Sequence, residues 1–146
     1  MFLTSKNHIT VDWINTLLIN IIKKLPKEYD IYREQINNKI IRKVYKPGFA
    51  STFQQNYIGF GYNQGIVNKY DKLSKIDPIV IDKHDLTKGF ILTGIEIFNI
   101  KEKKFIEIEL YFVDGLIAGI NSTIKLDMKS FDYENIVIKK LIRKES

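Results

Sequence analysis

The chain contains no cysteine, so a disulfide framework, thiolate zinc sites, iron–sulfur clusters and cysteine nucleophiles are all excluded. Histidine is nearly as scarce. His8 and His84 lie far apart, and a histidine-based zinc site would have to gather both of them with carboxylates from elsewhere. Arginine occurs only at Arg33, Arg42 and Arg143, against 20 lysines. Nucleic-acid binders favour arginine for bidentate contacts with bases and phosphates, so the basic excess points away from nucleic acid. Long apolar runs are missing too. The longest hydrophobic region, Trp13 to Leu25, is broken by Asn15, Thr16, Asn20, Lys23 and Lys24, whereas roughly 20 nearly unbroken apolar residues are needed to cross a bilayer. The opening MFLTSKNHIT has none of the parts of a signal peptide, so a cytoplasmic protein without membrane contact is expected. No repeat period and no linker rich in Pro, Gly or Ser divides residues 1–146, which are expected to form a single domain.

What is present is an ordinary globular composition. The chain has 146 residues, 45% of them hydrophobic and 27% charged, with a net charge of +6. That length suffices for one continuous core. Thr10 is a candidate N-cap, and after it Ile14, Leu17, Leu18, Ile21, Ile22 and Leu25 recur at helical spacing. Pro26 suits the start of a second helix, for which Tyr29, Tyr32 and Ile36 predict a span of about residues 27–38. The period then changes. Ile40 to Tyr45 reads as a short strand stopped by Pro47-Gly48, and Tyr57 to Tyr62 as a strand weakened by glycine. Residues 66–88, with Asp77-Pro78 and the polar DKHD run, read as a long loop holding at most a short strand or a helical turn.

The clearest β signal follows. Phe90 to Ile100 is rich in isoleucine, and Phe105 to Val113 alternates, with Ile106, Ile108, Leu110 and Phe112 on one face and Phe105, Glu107, Glu109 and Tyr111 on the other. Asp114-Gly115 is a type I′ hairpin signature that returns the chain along Leu116 to Asn121, placing Phe112 opposite Ile117 and Leu110 opposite Gly119. The run Ile136, Val137, Ile138, Leu141, Ile142 fits either a final strand or a short helix; its β-branched residues favour an edge strand, whose exposed edge the lysines would blunt. The expected fold is therefore α+β, with two N-terminal helices packed on the apolar face of an antiparallel β-meander.

Few residues suggest catalysis, and no cofactor or metal is expected. The segment Gly59-Phe60-Gly61-Tyr62-Asn63-Gln64-Gly65 fails as a dinucleotide loop, because Gln64 stands where the third glycine is required. Neither G-K-[ST] nor G-x-S-x-G occurs. Glu107 and Glu109 project from one strand face about 7 Å apart, a spacing open to paired-carboxylate chemistry but equally that of a solvated hairpin face. Glu96 on the neighbouring strand can join them. His84, within Asp82-Lys83-His84-Asp85, completes an alternative reading as a small hydrolase-like enzyme using Glu107, Glu109 and His84. Lysine clusters around Lys39, Arg42, Lys43 and Lys46, and around Lys139, Lys140, Arg143 and Lys144, leave weak nucleic-acid binding as a further alternative.

The stretch FILTGIEIFNIKEKKFIEIELYFVDGLIAGI, preceded by LPKEYDIYREQI, resembles small bacterial proteins of the polymorphic or contact-dependent toxin immunity type. In these an N-terminal helical part precedes an antiparallel sheet with a "GLI-x-G" return strand, here Gly115 to Gly119. The resemblance covers about half the chain and brings no catalytic residues with it. It implies a non-catalytic protein-binding module that inhibits a toxin. The chain is basic, so the partner would be a toxin domain with an acidic surface. A binding module needs anchors that folding does not consume. The aromatic, glycine-rich segment offers Phe53, Tyr57, Phe60 and Tyr62, with Lys43 and Lys46 placed to steer an acidic partner toward them.

Overall fold

The computed structural model describes residues 9–46, 56–76 and 89–145. Helix α1 spans Val11–Ile22, and Thr10 caps it by accepting a hydrogen bond from the Trp13 N–H at 3.1 Å. Its apolar stripe buries Trp13, Ile14, Leu17, Leu18, Ile21 and Ile22. Pro26 opens a single 3-10 turn, Lys27–Tyr29, which passes directly into α2, Asp30–Asn37. Lys39 has a positive φ of 63°, and the chain turns there into the sheet.

Six strands follow: β1 Ile41–Tyr45, β2 Ile58–Tyr62, β3 Phe90–Asn99, β4 Lys104–Val113, β5 Leu116–Ser122 and β6 Phe131–Glu145. They form one antiparallel sheet in the order β1-β2-β5-β4-β3-β6. The α+β expectation holds, with α1 and α2 entering first and the meander β3-β4-β5 at the centre. α1 contacts both edge strands, β1 and β6. A flat six-stranded sheet is about 24 Å wide and a helix about 10 Å, so the sheet must curl around α1. Ile106, Ile108, Leu110 and Phe112 are buried as expected, in one cluster with Leu17, Leu18 and Ile21. Phe90 and Phe112 stack at 4.6 Å, and Tyr32 of α2 packs on Phe112 at 4.5 Å.

Three expectations need correction. Residues 64–76 are not loop but a third helix, α3, Gln64–Ile76, whose first turn starts at Asn63, where the carbonyl accepts from the Ile66 and Val67 N–H groups. Residues 77–88 lie outside the described residues. Phe112 does face Ile117, but Leu110 faces Ile120 and Tyr111 faces Gly119, because a bulge intervenes in β5. Ile117 and Ile120 are both fully buried although three residues apart. An unbroken strand would put them on opposite faces, and one extra residue puts them on the same one. The third concerns β2: the strand weakened by glycine is not marginal to the sheet but takes an interior position between β1 and β5. The C-terminal edge strand is present and runs further than expected, from Phe131 to Glu145.

Candidate functional site

The helices pack on one face of the sheet, and the opposite face carries a set of exposed residues. On it Phe105, Glu107 and Val113 of β4, Val137, Lys139 and Ile142 of β6 and Tyr45 of β1 are all exposed. One part of this face is built on glycine. Strand pairing sets Tyr45 opposite Gly59, Gly59 opposite Gly119 and Gly119 opposite Tyr111, one row across four strands.

The bare glycines let side chains lie down on the backbone. The Tyr45 ring comes within 2.8 Å of where a Cβ on Gly59 would stand, and the Lys43 stem approaches Gly61 equally closely. The Tyr57 hydroxyl fills the place of a Cβ on Gly119. Large neighbours over strand glycines restore the packing that the missing side chains forfeit, and this is how β2 survives as an interior strand. Tyr57 meets Tyr111 edge to face, centroids 5.1 Å apart and planes at 84°. Its hydroxyl donates to the Ala118 carbonyl at 3.4 Å, and that of Tyr62 to the Ile117 carbonyl at 2.6 Å. Burial, reinforced by the neighbouring Tyr45 and Tyr111 phenols, pushes the Tyr57 hydroxyl up to about 12. Burial raises the Tyr62 hydroxyl as well.

Glu109 borders the tyrosines. Its Oε1 accepts from the Asn121 amide at 3.2 Å and from the Tyr111 hydroxyl at 3.3 Å. Glu96 lies opposite Glu107 on the paired strand, and Lys139 Nζ stands 3.9 Å from Glu96 Oε1. Among the described residues no group of three or more His, Asp or Glu side chains converges as a metal site would require. At one end of the sheet a cavity of about 240 Å³ opens between the β3–β4 turn and the β5–β6 connection. There the Lys129 N–H and the Ser130 hydroxyl hold the Asp127 carboxyl below its usual range.

The expected binding residues separate on this framework. Lys43, Lys46 and Arg42 are exposed on or beside β1, and Tyr57 and Tyr62 are half-buried. Phe60 is a correction: at 4% exposure it faces the core as the inward residue of β2, and it cannot serve as a surface anchor. Phe53 and His84 lie outside the described residues. Tyr45, 48% exposed, was missed by sequence reasoning, as was Tyr111. The signal for Tyr45 was its alternation with Lys43 in a five-residue strand; that for Tyr111 was its place on the outward side of β4. No helix among the described residues is long and apolar enough to cross a membrane. No family model matches this chain, and comparison with curated proteins and with solved structures found no match either.

Proposed function

We propose that this chain is a non-catalytic protein-binding module of the immunity type, which inhibits a bacterial toxin in the cytoplasm through the face of its sheet opposite the helices. The observation that carries the reading is the tyrosine corner. Tyr45 and Tyr57 are seated on glycines of neighbouring strands while part of each ring stays accessible. Rings held in this way lose little freedom on binding, and tyrosine supplies much contact area with few rotatable bonds. The exposed cations Arg42, Lys43 and Lys46 along the β1 edge support a partner with an acidic surface, since they would speed its approach.

The test starts from the product of the neighbouring open reading frame. Mixed with the purified chain it should form a complex that survives gel filtration, and co-expression should relieve whatever toxicity it has. Tyr45→Ala and Tyr57→Ala, each first shown to be folded, should weaken both effects. A complex indifferent to both substitutions would move the interface elsewhere. A neighbouring product that neither binds nor harms the cell would remove the immunity reading.

A further inference from the structure

We infer that the cavity between the β3–β4 turn and the β5–β6 connection binds a free α-amino acid with an aliphatic side chain. It shares no residue with the interface proposed above and is independent of it. The observation that carries the inference is the Asn99 side chain, which lines the cavity although the residue is only 2% exposed. Its Oδ1 accepts the Glu102 N–H at 2.7 Å. Only the amide oxygen can accept, so this bond fixes the orientation of the amide and turns Nδ2 away from the turn. Among the described residues Nδ2 donates to no group, and it is not enclosed by protein, so it meets the cavity. A nearly buried amide with free N–H groups at a cavity wall is set for an acceptor from outside.

The charges around Asn99 suit a ligand that carries both signs. Lys101 and Lys125 supply cations and Glu102 and Asp127 carboxylates, and among the described residues none of the four forms an ion pair with another. Asp127 stays ionised, because the Lys129 N–H and the Ser130 hydroxyl keep its carboxyl below the usual range. An inorganic anion would gain Asn99 and the lysines but would face that carboxylate. A bare cation would face both lysines, and among the described residues no third carboxylate converges to hold it. A zwitterion satisfies both sides: its carboxylate takes the Asn99 N–H and a lysine, and its ammonium takes Asp127. The floor selects the rest of the molecule. Leu126 is buried and Ile124 half-buried, an apolar surface that an alkyl group would cover. At about 240 Å³ the cavity falls below the roughly 300–1,000 Å³ of drug-sized sites. Counting about 30 Å³ for each water-sized group, it holds on the order of eight non-hydrogen atoms, the size of valine or leucine.

The probe is L-leucine, titrated into the intact chain to roughly 10 mM while amide and methyl resonances are followed by NMR, a range that registers millimolar affinity. Saturable shifts should centre on the Asn99 side-chain amide, Leu126 and Ser130. Isocaproate, which lacks the ammonium, and isoamylamine, which lacks the carboxylate, should each bind about tenfold more weakly or worse, as expected for loss of a charge-assisted contact. Glycine, which keeps both charges, should also bind more weakly for want of the alkyl contact. Asn99→Asp keeps the acceptor for the Glu102 N–H while removing the donor, and it should abolish the leucine response. Asp127→Asn should weaken the response roughly tenfold. Lys125→Glu, at an exposed position that folding does not need, should weaken it as well and decides the matter if the other two variants fail to fold. No saturable shift with leucine, isocaproate or isoamylamine binding as tightly as leucine, or an unchanged response in the folded variants would each overturn the assignment.

Discussion

Adding one methyl group at Gly119 should damage the protein far more than adding one at Gly65. A Cβ on Gly119 would stand 2.1 Å from the Tyr57 hydroxyl and 2.7 Å from the Ile58 carbonyl oxygen. The ring can swing away, but the carbonyl belongs to the paired strand and cannot. Overpacking of this kind costs about 1–3 kcal/mol. Displacing Tyr57 also breaks its bond to the Ala118 carbonyl, worth about 0.5–1.5 kcal/mol. Reduced freedom of the unfolded chain returns about 0.4–1 kcal/mol. The net expectation for Gly119→Ala is a loss of about 2 kcal/mol. Gly65, in the first turn of α3, has nothing within 4 Å of the same position, so Gly65→Ala should stabilise by about 0.5 kcal/mol. Urea unfolding followed by the fluorescence of the buried Trp13 separates the two. With slopes of about 1–3 kcal/mol/M, the Gly119→Ala midpoint should fall by about 1 M at constant slope while the Gly65→Ala midpoint rises slightly. Combined with Tyr57→Ala, Gly119→Ala should cost less than the sum of the two. A Gly119→Ala midpoint equal to wild type would refute the close seating of Tyr57 on β5.

Leu110→Ala, at a fully buried position on the inner face, should cost about 2–5 kcal/mol in the same assay, more than any single change on the opposite face. Thr10→Ala removes the oxygen that caps α1 and should cost about 1 kcal/mol, with Thr10→Ser close to wild type. Burial raises the phenols of Tyr32, Tyr57 and Tyr62 above their ordinary value near 10. A folded-state value above the unfolded one means that this stability is intact below about pH 10 and lost as the pH climbs toward 12 and beyond. Melting temperatures should therefore drop steeply across that window, with the phenolate absorbance of these three tyrosines appearing only as the chain unfolds; early, reversible titration of all the tyrosines near pH 10 would contradict their burial.

What was legible in the sequence was whatever local chemistry decides. Thr10 before an apolar stripe, Asp114-Gly115 between alternating strands and the β-branched tail each carry a signal within a few residues, and each element formed. α3 was hidden because its sequence, QGIVNKYDKLSKI, is mostly polar with a glycine at its second position; the helical interval from Ile66 to Tyr70 was the available cue. The β5 bulge follows from burying Ile117 and Ile120 together, a demand of the assembled core that the strand alone does not reveal. The tyrosine corner was half legible for the same reason. Tyr57 could be named from its glycine-rich context, but its partners Tyr45, Tyr111 and Glu109 come from two other strands, and only the β1-β2-β5-β4 order brings them together. Phe60 was misjudged because alternation within β2, rather than its aromatic surroundings, decides which way it faces.

Association and dissociation kinetics with the neighbouring gene product test most directly whether the face of the sheet opposite the helices is the binding surface. Tyr45→Ala and Tyr57→Ala should raise the dissociation rate by about tenfold or more, the mark of central aromatic anchors, with little change in association. Lys43→Glu should slow association and flatten its dependence on salt, while dissociation stays near wild type. Unchanged kinetics in all three variants, with the complex intact, would contradict the assignment of this face.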